Sequence, residues 1–250
     1  MSGHSKWATT KYRKGAQDAA RSKRFVKHIR SLEVAAREGG GDINNNAALR
    51  TAFERARADS MPMDTIDRAI KRGTGDLEGV RYEAVSYEGY ALGGVAVIVE
   101  TLTDNRNRTA AELRNLFNRN GGSLAEPGAV AWQFERKGVL ELDRSLDEDR
   151  IMEVAADAGA EDLSDVGERW QVVCAAHDLA AVRSALEEAG MPPTSAELTL
   201  VPTSTVEVSE PQDAQRVLRL LEAIDDHDDV QAIHANYDIP ETVLAGYAAG

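Results

Sequence analysis

The chain has a single cysteine, Cys174, among 250 residues. That excludes a disulfide framework and a zinc site built on cysteine thiolates. No apolar run approaches the roughly 18 residues of a membrane span. No apolar segment follows the N-terminus as it would in a secretory signal, so a reducing, cytoplasmic compartment is the expectation. The signatures of common enzyme chemistry are also missing: no Walker A loop, no HExxH, no CxxC and no G-x-S-x-G elbow. Gly73-Thr74-Gly75 reads as a helix exit. The five histidines, His4, His28, His177, His227 and His234, are scattered and mark no nucleophile. No catalytic residue and no metal site is expected. Asp225-Asp226-His227-Asp228-Asp229 lacks the spacing and the glycine of an EF-hand, and reads as a solvated helix-to-strand loop. Cys174 lies in an apolar strand as a small core residue.

Positive charge is outnumbered. There are 29 Lys+Arg against 42 Asp+Glu, a net charge of −13 and a pI near 4.9. The mean conceals a segregation. Up to residue 78 there are 16 basic and 10 acidic residues, and beyond it 13 and 32, giving nets of +6 and −19. From Met1 to Arg37 ten basic residues face two acids, Asp18 and Glu33. A basic arm on an acidic body suggests a polyanion partner met from one end. A solvated polar helix with a charged tail is the plainer alternative.

Within the arm, aromatics alternate with charge: His4, Lys6, Trp7, Lys11, Tyr12, Arg13 and Lys14. Lysine and arginine neutralise phosphates and release counterions. Trp7 and Tyr12 can stack on exposed bases, which are plentiful in RNA loops and scarce in an intact duplex. Packing of either ring on the helical domain is the competing reading. Arg21, Lys23, Arg24, Lys27 and Arg30 continue the basic series along the first helix. A second candidate phosphate site is Asn105, Arg106, Asn107 and Arg108, where a helix N-terminus offers free N–H groups beside two arginines. Turn and cap chemistry alone would also explain that segment.

Periodicity organises the rest. A helix is expected from about Asp18 to Glu38, with Phe25, Ile29, Leu32 and Ala36 on one stripe and Lys23, Lys27, Arg30 and Arg37 opposite. A second helix follows the caps offered by Asn44-Asn45-Asn46, and Pro62 opens a third. Strands follow at Tyr82–Glu88 and Val95–Val99, a helix at Thr109–Asn118 and a strand at Val130–Phe134. From Val139 the order is strand, helix, strand, strand, helix, strand, a split β-α-β module of ferredoxin-like type. Strand, helix and strand return near Thr205–Val208, Ala214–Ile224 and Val230–Asn236. The expected fold is α+β: a three-helix domain, then two α/β domains, the third inserted into the second. The corresponding division is a basic arm at 1–17, a helical domain at 18–78, a discontinuous α/β domain at 79–137 and 203–240, and the insertion at 138–202.

Several stretches are specific enough to identify a resemblance. GHSKW at Gly3–Trp7, AQDAARSKRF at Ala16–Phe25, Met61-Pro62 and RAIKRGTG at Arg68–Gly75 resemble the YebC/PmpR family, as do Tyr87–Thr109 and VAWQFERKG at Val130–Gly138. Two segments depart from the family pattern. Tyr12 stands where relatives more often carry histidine, and Ser123–Val130 reads SLAEPGAV, with Glu126-Pro127 in a loop that is often less rigid and less acidic. The resemblance implies the same three-domain arrangement, no cofactor and no catalytic residue. It implies a nucleic-acid-binding regulator of gene expression, in one of two forms. The first is a monomeric ribosome-associated translation factor whose arm contacts ribosomal RNA or transfer RNA and relieves stalling, for example at proline runs. The second is a DNA-binding transcriptional regulator. No membrane partner is implied.

Overall fold

In the computed structural model, residues 17–240 and Val243 are described, with side chains from Lys23 onward. The expected histidine, tryptophan, tyrosine, lysine and arginine contacts of residues 4–14 lie outside that range, as does the side chain of Arg21. Three helices come first: α1 (Gln17–Gly39), α2 (Ala47–Ala58) and α3 (Met63–Thr74). Asn46 caps α2, its side chain accepting from the Leu49 N–H at 3.0 Å. Gly75 ends α3 in the left-handed conformation, at φ 90°, which costs glycine nothing. Leu32, Ala36, Leu49, Met61 and Ile66 are buried together as the helical core. Gly73 lets α1 and α3 touch, since a Cβ there would lie 2.5 Å from the Glu33 carbonyl oxygen.

The chain then enters a four-stranded sheet through β1 (Glu83–Tyr90) and β2 (Ala96–Thr103), crosses α4 (Arg106–Arg119), and adds the short β3 (Ser123–Leu124). Val130–Phe134, expected as a strand, is instead a 3₁₀ turn at Ala131–Gln133. Its apolar ends, Val130 and Phe134, both pack on Ala96 and Ile98. The carboxylate of Glu88 accepts the Gly128, Val130 and Ala131 N–H groups at 2.7, 2.6 and 2.9 Å. These bonds take the backbone donors that a ladder would have used.

The insertion follows as β4 (Phe134–Asp143), α5 (Glu148–Asp157), β5 (Ala160–Asp165), β6 (Arg169–Ala175), α6 (Leu179–Glu188) and β7 (Ser195–Pro202). Its strands lie in the order β5-β6-β4-β7, every pair antiparallel. This is the ferredoxin-like arrangement expected from the element order. Leu140, Leu142, Val172 and Cys174 bury against Ile151, Val182 and Leu186 of the two helices. Burial raises the Cys174 thiol pKa, as suits a packing residue.

The chain returns through β8 (Val206–Glu207), α7 (Pro211–Asp225), β9 (Val230–Ala235) and β10 (Tyr237–Asp238). Strand β9 completes the first sheet, in the order β3-β1-β2-β9, by pairing antiparallel with β2. Strand β8 does not join that sheet; it pairs with β10 in a separate parallel ribbon. One face of the first sheet, through Val95, Val97 and Val99, packs on α4 and α7. The other face looks toward the helical domain and the insertion. Among the described residues no helix is long and apolar enough to cross a membrane.

Candidate nucleic-acid interface

The side of α1 opposite its apolar stripe carries Lys23, Lys27 and Arg30, for which contact with a polyanion is the expectation and a solvated face the alternative. It is docked instead on the turn that follows α7. Lys23 Nζ lies 3.1 Å from the Asp226 carboxylate. Lys27 Nζ donates to the Asp225 carbonyl at 2.7 Å and its carboxylate at 3.1 Å. Arg30 donates to the Asp228 carbonyl at 2.5 Å and to Asp229 Oδ1 at 2.6 Å, and its guanidinium sits 5.2 Å from the centre of the Tyr82 ring. The Lys27 and Arg30 side chains are only 16% and 13% exposed. Arg24 turns another way, toward Asp59 at 3.5 Å, whose carboxylate also meets His28 Nε2 at 2.6 Å.

The acidic turn is therefore an interdomain hub rather than a solvated loop. The reason is electrostatic. Helix α7 ends in Asp225 with Asp226 as its cap, and carboxylates at a helix C-terminus oppose the macrodipole. The cations of α1 supply the charge that this end lacks. Asp229, 2% exposed, is the centre of the hub. Besides Arg30 it accepts from Arg108 at 2.9 Å and from the Thr109 hydroxyl at 2.6 Å. Burial pushes its carboxyl up, but these donors outweigh it and pull the pKa down to about 2.

The segment Asn105–Arg108 sits at the start of α4. Asn105 caps the helix, accepting from the Arg108 N–H at 3.0 Å. The Tyr87 hydroxyl donates to the Arg106 carbonyl at 3.0 Å. Arg108 binds Asp104 at 2.8 Å as well as Asp229, and Glu112 lies 3.9 Å away. Three carboxylates thus surround this helix N-terminus, while Arg106 and Asn107 remain exposed. His227, Glu112 and Asp229 bring ligand-type atoms within 4.8 Å of one another, with no ion present. Their lone pairs are committed, however. His227 Nδ1 accepts the Asp229 N–H at 3.1 Å, which leaves Nε2 as the donor to Glu112 at 2.8 Å. The Asp229 oxygens already hold two guanidiniums.

Two features were not evident in the sequence. A cleft of about 990 Å³ lies between α1 and α2, the open face of the first sheet, and strand β7. Arg55 of α2 and Glu197 of β7 form an ion pair on its wall, with Arg136 and Glu100 nearby. His234, whose Nε2 lies 3.7 Å from the Glu100 carboxylate, lowers the Glu100 pKa below the usual carboxylate value. The second feature is Trp132, 74% exposed. Its indole N–H donates to the Ala129 carbonyl at 3.0 Å, on the loop that Glu88 holds. Trp132 lies in the segment expected as a strand, and the 3₁₀ turn at Ala131–Gln133 puts it outside.

Comparison with known proteins places this arrangement. Residues 5–76 match the family model of the TACO1/YebC protein N-terminal domain, and residues 82–237 match that of the TACO1/YebC second and third domains. A protein of Thermotoga maritima is 55% identical over 243 residues, spanning 96% of this chain and 95% of the relative. One of Acidithiobacillus ferrooxidans is 50% identical over 245 residues, 98% of each. Both carry the name probable transcriptional regulatory protein. The crystal structure of a conserved hypothetical protein from Aquifex aeolicus is similar at a TM-score of 0.82 and 45% identity, covering 91% of this chain and 95% of that one.

Proposed function

The chain belongs to the TACO1/YebC family, and on that footing we propose that it is a non-enzymatic, nucleic-acid-binding regulator of gene expression. Its place of action is the ribosome. The basic N-terminal arm, continued by α1, contacts ribosomal RNA or transfer RNA and relieves stalled synthesis, for example at proline runs. The observation that carries this reading is the charge segregation, +6 up to residue 78 against −19 beyond it. Only one end of such a molecule is drawn to phosphate, and the acidic domains stand away from it or face basic proteins. Lys27 and Arg30 are committed to the hub. The reading therefore rests most heavily on His4, Lys6, Trp7, Lys11, Tyr12, Arg13 and Lys14. Stacking of Trp7 and Tyr12 on splayed bases would add about 1–3 kcal/mol per base.

The second reading is a DNA-binding transcriptional regulator, which the names of the relatives favour. Charge weighs against it, since a large acidic body would lie near a duplex with few groups placed to read bases. Co-sedimentation separates the two. The full chain is expected to travel with ribosomes, and deletion of residues 2–14 is expected to abolish this. Sedimentation that survives the deletion would remove the arm from the mechanism. Tight, selective binding to one promoter duplex without ribosome association would establish the second reading.

A further inference from the structure

We infer that the acidic turn Asp225–Asp229 is an intramolecular stand-in for phosphate on α1, and that nucleic acid and this turn compete for the same cations. The inference rests on the reading above, in which α1 belongs to the nucleic-acid surface, and adds to it a mode of regulation. Lys23, Lys27 and Arg30 fall on one side of the helix, spaced by four and three residues. Each meets an oxygen of the turn: Asp226 for Lys23, Asp225 for Lys27, and Asp228 and Asp229 for Arg30. A row of carboxylate and carbonyl oxygens on a lysine-arginine stripe is the chemistry a phosphodiester strand would offer to that stripe.

The contacts are graded along the helix. At the arm-proximal end, the side chains of the Lys23–Asp226 pair are 44% and 69% exposed. Lys27–Asp225 is mostly covered, and Arg30–Asp229 is buried. An exposed ion pair contributes little and is screened by salt, so a strand arriving along the arm meets the weakest contact first. Displacement runs inward from Lys23 to Lys27 and stops at Arg30, which Asp229 holds together with Arg108 and Thr109. The result is a self-limiting lock. In the free protein, the outer cations of α1 are paired with the turn, and the helical domain is held to the first α/β domain. When nucleic acid binds, these cations are handed over and the interface loosens. Linkage makes the effect reciprocal: whatever loosens the turn strengthens binding.

The test uses the full chain and a short fluorescein-labelled RNA hairpin, with affinity read by anisotropy. The variant Asp225→Asn/Asp226→Asn removes two charges from the turn and leaves Asp229 in place. Asp149→Asn/Asp157→Asn makes the same change in net charge on the exposed face of α5. The turn variant is expected to bind about fivefold more tightly than the control variant. In the wild type, RNA is expected to speed amide hydrogen exchange at residues 225–229. Equal affinities for the two variants would reduce the effect to net charge and overturn the inference, leaving the proposed function intact. Exchange in the turn that is unchanged or slowed by RNA would overturn it too, without any substitution. A wild-type chain that does not bind the hairpin would overturn the functional reading itself.

Discussion

Replacing Asp229 by asparagine should cost the protein about 2–3 kcal/mol at neutral pH, and the cost should vanish in acid. The magnitude follows from the carboxyl's depressed pKa. Its ordinary value is 3.8 and its folded value about 2, and each unit of depression corresponds to about 1.4 kcal/mol of preference for the charged form. The sign follows from the direction. A folded pKa below the unfolded one gives stability that is fully present above about pH 4 and is lost as the pH falls toward 2. Asparagine keeps the shape of the side chain but neutralises neither Arg30 nor Arg108. Arg30 retains the Asp228 carbonyl, which keeps the loss below the roughly 3–5 kcal/mol typical of a broken buried ion pair. For a chain of this length the change should lower the melting temperature by about 5–10 °C. Calorimetry of wild type and variant, near neutral pH and again near pH 2, provides the check. Equal melting temperatures at neutral pH, or a deficit that persists unchanged in acid, would refute the reasoning.

Other positions give sharper local readouts. In Glu88→Gln the loop loses the charged acceptor of three N–H groups. A cost of about 1–2 kcal/mol is expected, together with faster amide exchange at Gly128, Val130 and Ala131; unchanged exchange there would mean that the loop is held by something else. Gly73→Ala places a Cβ 2.5 Å from the Glu33 carbonyl oxygen and 2.7 Å from the Ala36 Cβ. It should force α1 and α3 apart at a cost of about 1–3 kcal/mol, seen by urea unfolding as a shift confined to the helical domain.

Much of this architecture was legible because burial imposes a period. The stripe Phe25, Ile29, Leu32 and Ala36 announced α1. The second helix of the split module follows from the same period, since Val182 and Leu186 are both core residues four apart. The continuous run Val95–Val99 is buried on both faces of its sheet, as such a run requires. The errors occur where a distant group decides. Val130–Phe134 has strand composition, but Glu88, some 40 residues earlier, takes its N–H groups and bends it into a turn. The cap of α4 is Asn105, so the helix starts at Arg106, three residues before the expected Thr109. The basic side of α1 is polar and charged, which locally indicates solvent. Its partners lie about 200 residues away, and no local pattern encodes them. The compact acidic run at Asp225–Asp229 was the available clue, a charge complement to the stripe that a single-segment reading assigns to water.

The proposed function depends on the cationic N-terminal end meeting phosphate, and a salt titration tests this most directly. The affinity of the full chain for a structured RNA should be followed as ionic strength rises, beside a chain lacking residues 2–14. If about five phosphates are neutralised, log affinity should fall against log salt with a slope of roughly −3.5 to −4.5, and the truncated chain should bind weakly with a much shallower slope. A slope near zero for the full chain, or the same slope and affinity without the arm, would contradict it.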